Sequence, residues 1–157
     1  MLKYLIFILS FSVGPAFAGP TVYLTPAEAL KIIFADSKEI ISEKKGGRTF
    51  FVAKTGGKVD GYALIGNEIG KTEPITFMTA ITPQGKVKAV EILVYRESHG
   101  GEVKEKRFTN QYKGKCASDP VRIGQDIKNL SGATLSARAV SRGVKDALIL
   151  WKTHYEK

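Results

Sequence analysis

The run Pro74-Ile75-Thr76-Phe77-Met78-Thr79-Ala80-Ile81, the turn Thr82-Pro83-Gln84-Gly85 and the second run from Val87 to Tyr95 decide the fold. Isoleucine, valine, threonine and phenylalanine favour a pleated, half-buried backbone, and Thr82 to Gly85 supply turn chemistry between the runs, so the segment predicts a β-hairpin. Ala80, Ile81, Val87, Ala89, Val90, Ile92, Leu93 and Val94 make its second half almost continuously apolar. Strands of that composition are expected at the centre of a sheet, covered on both faces. The core is therefore placed here.

Working outward, Arg48 to Lys54 and Gly61 to Asn67 read as two further strands bounded by glycines. Thr25-Pro26-Ala27-Glu28 reads as a capping box opening a helix of about ten residues, with Ala27, Leu30, Ile33 and Phe34 on one face. From Arg96 to Gly124 the periodicity lapses, apart from a short helix expected at Lys106 to Tyr112 around Phe108 and Tyr112. Ala137, Val140, Val144, Ala147, Leu148 and Trp151 then form one stripe, which predicts a long amphipathic helix starting near Thr134. The fold class expected is α+β: an antiparallel or mixed β-sheet packed by flanking helices, in a single small domain without internal repeats.

The chain has 157 residues and a formal net charge of +9. Met1-Leu2-Lys3, an apolar stretch from Tyr4 to Val13 and Ala16-Phe17-Ala18 have the layout of a cleavable secretory signal, giving residues 1–18 as leader and 19–157 as the domain. The apolar stretch falls short of the roughly 20 residues that span a bilayer. An exported chain with Cys116 as its one cysteine has no internal disulfide, and that residue is either buried and inert or a free thiol. Export argues against nucleic acid, and the cations are scattered from Lys31 to Lys157 without interleaved aromatics, which favours a general solvated surface with one acidic protein partner. His99 and His154 are isolated, with no haem-attachment string and no zinc spacing. Neither Ser98 nor Ser136 sits in a Gly-x-Ser-x-Gly elbow.

Ser131-Gly132-Ala133-Thr134-Leu135-Ser136 stands where the long helix is expected to begin. Threonine offers a hydroxyl that can form a phosphodiester, Gly132 and Ala133 leave room for close approach, and a helix N-terminus presents free N–H groups to the remaining phosphate charge. The plain alternative is an ordinary helix start with Ser131 or Thr134 as its cap. With the helix behind it, the string resembles the small FMN-binding domain family, which includes the flavin-carrying subunits of the Rnf complex and of the sodium-translocating NADH:quinone oxidoreductase. The resemblance implies that Thr134 is esterified to the phosphate of FMN by a separate flavin transferase that uses FAD.

Tyr95-Arg96-Glu97-Ser98-His99-Gly100-Gly101 extends the resemblance, because the family has a Glu-Thr or Glu-Ser pair and a glycine turn after the hairpin strand. Phe108, Gln111, Tyr112, Gly114 and Lys115 continue it. By position, Glu97, Ser98 and Gly100 are expected to line the flavin pocket, with Glu97 and Ser98 in polar contact with the ring. The chain departs from the family at Lys128, where an Asp commonly stands six residues before the modified Thr; the nearest Asp is Asp126. The expectation is an exported, membrane-associated electron carrier rather than a stand-alone enzyme, at the periplasmic or outer face of the cytoplasmic membrane. Its partners would be the transferase and an acidic redox protein or membrane electron-transfer complex. Two alternatives stand beside it: a flavin-free periplasmic interaction or sensor module, favoured by Lys128, and a reductase that holds FMN reversibly.

Overall fold

A computed structural model describes residues 19–156, so the leader read at residues 1–18 lies outside the described residues. The elements run β1 (Thr21–Val22), α1 (Pro26–Ile33), β2 (Glu39–Lys45), β3 (Arg48–Thr55), β4 (Lys58–Ile69), β5 (Pro74–Ile81), β6 (Val87–Tyr95), α2 (Lys106–Thr109) and α3 (Thr134–Tyr155). The strands form one sheet in the order β1-β6-β5-β4-β3-β2, and every pair is antiparallel. The α+β architecture is as expected, and the sheet proves antiparallel rather than mixed.

The hairpin's continuous apolar sequence reflects coverage of both sheet faces. Phe77 and Ile81 of β5 pack with Val140, Val144, Leu148 and Trp151 of α3. The alternate residues Met78 and Ala80 join Ala53, Ala63 and Leu93 under Ala29, Leu30, Ile33 and Phe34 of the α1 segment. A strand alternates its side chains between faces, so burial on both sides favours apolar residues at most positions, with Thr79 and Glu91 the buried polar exceptions on these strands. The predicted stripe on α3 is buried throughout, from Ala137 to Trp151. Each fully buried valine or leucine of such a stripe contributes about 1.5 to 3 kcal/mol.

The long helix comes close to the sheet because glycines face Phe77. A Cβ added at Gly143 of α3 would stand 2.4 Å from the Phe77 ring, and one at Gly66 of β4 would stand 2.7 Å from it. Gly66 is the cross-strand partner of Phe77, so the ring fills the space that both glycines leave.

Several local expectations are corrected. The capping box of α1 forms as read, with Thr25 and Glu28 bonded reciprocally, but the helix has 8 residues and ends at Ile33. Its buried face carries Ala29 rather than Ala27, which is exposed. The helix expected over Lys106 to Tyr112 is one α-helical turn, Lys106–Thr109, followed by a 3-10 turn at Asn110–Tyr112. The edge strands β1 and β2 were not expected; β2, Glu-Ile-Ile-Ser-Glu-Lys-Lys, is largely exposed and has little apolar signal. Cys116 is a half-buried free thiol, with Sγ 3.0 Å from Ser118 Oγ.

Candidate functional site

The start of α3 and the segment after β6 meet at one end of the sheet. Gly132 adopts φ +79° and Gly100 φ +90°, left-handed conformations that favour glycine. Ala133 is the N-cap of α3, and no side chain caps the helix. Neither Ser131 nor Thr134 plays that part, so the amides of the first turn face outward without a side-chain acceptor. Thr134 is the first helical residue and is half-buried. Its Oγ1 accepts a hydrogen bond from Asn129 Nδ2 at 2.9 Å. Leu135 is exposed and Ser136 is buried.

Ser136 links the two segments. Tyr95 Oη donates to the His99 carbonyl, which commits its single proton. The Ser136 hydroxyl, 2.8 Å away, therefore donates to Tyr95 Oη. Burial pushes the Tyr95 phenol above its ordinary range, and the Ser136 bond acts in the opposite direction. The phenol stays protonated at neutral pH and ties the Ser98–Gly100 backbone to α3.

Between these segments lies an open cavity of about 480 Å³, lined in part by Tyr23, Ser98, Gly100, Gly101, Lys104 and Gly132. That volume is in the range of small-molecule sites. Nothing lies within 4 Å of a Cβ placed on Gly132, so the approach to the Ser131–Thr134 backbone is clear. Of the residues singled out in the sequence, Ser98, Gly100 and Gly132 line this cavity. Thr134 stands two residues further along, Ser131 is exposed, and Ala133 is buried beneath the turn.

Glu97 faces elsewhere. Its carboxylate accepts from the backbone amides of Lys71, Thr72 and Glu73 and from the Thr72 hydroxyl, closing the turn between β4 and β5. Burial would raise its pKa, but the three backbone bonds and the hydroxyl outweigh it and hold the carboxyl below the usual range. Asp126 is similarly engaged. It accepts from the amides of Val121 at 3.1 Å and Arg122 at 2.8 Å and pairs with Lys115 at 3.1 Å.

Sequence reasoning did not find Tyr23, Lys104 or Asn129 as parts of this region, and it gave Tyr95, which opens the family-like stretch, no role there. Lys104 Nζ lies 4.3 Å from the Tyr23 ring centre, a contact between residues far apart in the chain that no local pattern announces. His99 lines the cavity, whereas His154 lies against Phe50 near the other end of α3. Among the described residues, no group of three or more His, Cys, Asp or Glu could hold a metal ion. No helix among them is long and apolar enough to cross a membrane.

These features fit an FMN phosphate. A hydroxyl in the first turn of an uncapped helix, an unobstructed glycine beside it and a cavity large enough for an aromatic ring stand together. The family model described as the FMN-binding domain matches residues 70–149, half of the chain. A component of the proton-translocating ferredoxin:NAD(+) oxidoreductase complex of Clostridium ljungdahlii is 26% identical over 129 residues, covering 77% of this chain and 69% of that protein. The crystal structure of Shewanella oneidensis NqrC has a similar fold, with a TM-score of 0.53 and 18% identity. It is matched over 73% of this chain, which spans under two thirds, 65%, of that chain's length. The chain belongs to the FMN-binding domain family, and its cofactor is FMN.

Proposed function

We propose that residues 19–157 form an exported electron carrier in which FMN is joined covalently, through its phosphate, to Thr134 Oγ1. The observation that carries this reading is the Thr134 hydroxyl at the first residue of α3, whose N-terminus no side chain caps. In the transfer reaction the Thr134 oxygen would bond to the flavin-side phosphorus of FAD as the phosphoanhydride bond breaks, with AMP as the leaving group and the hydroxyl proton released to solvent. The amides of the first helical turn would take up the remaining phosphate charge, each such contact contributing about 0.3 to 1 kcal/mol. These contacts orient the phosphate, and the ester holds it.

The bound flavin supplies the one- and two-electron chemistry. The chain's own residues place and shield it. Ser98, Gly100 and Gly132 line the adjoining cavity, and the Tyr95–Ser136 bond fixes the loop that carries Ser98 and Gly100. Glu97, whose oxygens are engaged with the turn at residues 71–73, supports that loop from behind. The Clostridium relative is part of an oxidoreductase complex, which supports a membrane electron-transfer assembly as the partner. Export rests on the residue pattern of 1–18 alone.

A second reading, a flavin-free interaction module, is favoured by one observation. Lys128 stands where the family commonly has Asp, and the nearest carboxylate, Asp126, is bound to its own loop and to Lys115. The deciding experiment co-expresses the full chain with a flavin transferase, beside Thr134→Ala. Intact mass and in-gel fluorescence after denaturation then report the adduct. One FMN per chain that survives denaturation and vanishes in the variant is the expected result. A colourless, unmodified protein transfers the weight to the interaction module, and colour lost on denaturation indicates reversible binding.

A further inference from the structure

A second cavity, of about 440 Å³, lies on the outer side of α3, between that helix and the loop Pro120–Ile123. Four cations border it: Arg122 from the loop, and Arg138, Arg142 and Lys145 from α3. Two are held by the fold. Lys145 Nζ donates to the carbonyls of Ala117 at 2.7 Å and Asp119 at 2.5 Å, and Arg142 lies 3.6 Å from Glu68 and donates to the Ile69 carbonyl. Arg122 and Arg138 have no carboxylate within 4.0 Å among the described residues. Pro120, Val121 and Ile123 give the cavity an apolar part.

The loop is held in this shape at a conformational cost. Val121 is buried with φ +48°, a left-handed conformation that a β-branched residue rarely adopts. Asp126 accepts the amides of Val121 and Arg122 and so fixes the strained turn beside the cations. The nearest carboxylate of the loop is thereby engaged with backbone amides and Lys115 and forms no ion pair with the Arg122 guanidinium.

We propose that this cleft is the docking site for an acidic segment of the protein that exchanges electrons with the flavin. The match is between two arginine forks and carboxylates, with an apolar side chain of the partner entering toward Val121 and Ile123. A planar bilayer would reach the rim cations but not the apolar part of a concave site, and a free phosphate would leave that part uncovered. Position gives the docking its use. At about 1.5 Å rise per residue, Arg138, Arg142 and Lys145 follow Thr134 along α3 by roughly 6, 12 and 16 Å. A partner seated here therefore lies beside the proposed flavin attachment. The inference rests on the electron-carrier reading for its purpose, although the charges are present with or without FMN.

The test uses the full chain and a fluorescein-labelled peptide of alternating glutamate and leucine, read by anisotropy at low salt. Arg122→Ala with Arg138→Ala is compared with Lys31→Ala and Lys44→Ala, which removes the same charge from exposed positions on α1 and β2. The expected result is a roughly tenfold loss of affinity in the arginine pair and less than about twofold in the lysine pair. Equal losses in both pairs, or none in the arginine pair, overturn the proposal. Two other outcomes also overturn it: binding to phosphatidylglycerol-phosphatidylethanolamine vesicles that falls while peptide binding holds, and displacement of the peptide by inorganic phosphate at matched charge. Urea midpoints check that each pair folds, and Arg138→Gln alone carries the test if the double change shifts the midpoint. Intact mass of the same samples reports the Thr134 adduct, so a failed flavin attachment is distinguished from failed docking.

Discussion

Replacing Gly100 with alanine sets two costs against the loop that faces α3. At φ +90° an L-residue is strained by roughly 1 to 2 kcal/mol. The new methyl group would also stand 2.7 Å from Tyr95 Oη and 2.8 Å from Ser136 Oγ, the two atoms that hydrogen-bond the loop to the helix. Neither hydroxyl can withdraw without breaking that buried pair, which adds roughly 1 to 3 kcal/mol. The sum is about 2 to 5 kcal/mol. The neighbouring Gly101 is the internal control, because it has no left-handed φ and its added methyl would meet the tip of Tyr23 at 3.4 Å, with the next atoms at 3.8 Å. Gly101→Ala should fall within about 0.5 kcal/mol of the parent or slightly above it, since alanine also narrows the unfolded ensemble. Urea denaturation followed by far-UV circular dichroism separates the two. With a slope of roughly 1.5 to 2 kcal/mol per molar for a domain of this size, Gly100→Ala should lower the midpoint by about 1 to 3 M. If both glycines tolerate alanine equally, the Tyr95–Ser136 link does not fix this loop and the account of the site is wrong.

Two other predictions follow from hydrogen bonds within the fold. Because the folded pKa of Glu97 lies below the ordinary 4.5, its contribution to stability is full above about pH 4.5 and is lost as the pH falls through the folded value. Glu97→Gln should therefore be less stable than the parent at pH 7 and show a flatter acid limb in urea midpoints measured from pH 7 to pH 3; an unchanged limb would falsify the assignment. The buried hydroxyls of Tyr112 and Ser141, 2.8 Å apart, satisfy each other. Tyr112→Phe and Ser141→Ala should each cost about 1 to 3 kcal/mol and the double variant clearly less than their sum, whereas additive losses would mean that the pair is not coupled.

The hairpin and the α3 stripe were legible because their signal is local and repeated. Residues 74–81 and 87–95 are apolar at most positions, and Ala137 to Trp151 keep helical spacing over four turns. The start of α1 was legible because its capping box is complete within four residues, but one residue of its buried face was misassigned, Ala27 for Ala29. β2 was missed because an edge strand buries little, and its glutamates and lysines read as a solvated segment. At the site, that Ser98, Gly100 and Gly132 stand near one another was legible only through the family resemblance, because no local pattern joins the loop after β6 to the start of α3. The role of Glu97 was not, since its carboxylate bonds amides about 25 positions earlier in the chain. Arg122 and Arg138 carry no shared pattern at all; the strained turn at Val121 brings them to one cleft.

α3 runs for 22 residues, with Thr134 at one end and Trp151 and Tyr155 in an aromatic cluster at the other. A prosthetic group esterified to its first residue would stand on backbone that packing against β4 and β5 holds in place. Any swing of the ring would come from the rotatable bonds between the ester and the ring, not from a moving segment of the protein. The reach of a relay would then be set by the length of that tether, and a partner would have to come to the domain rather than wait for it to turn.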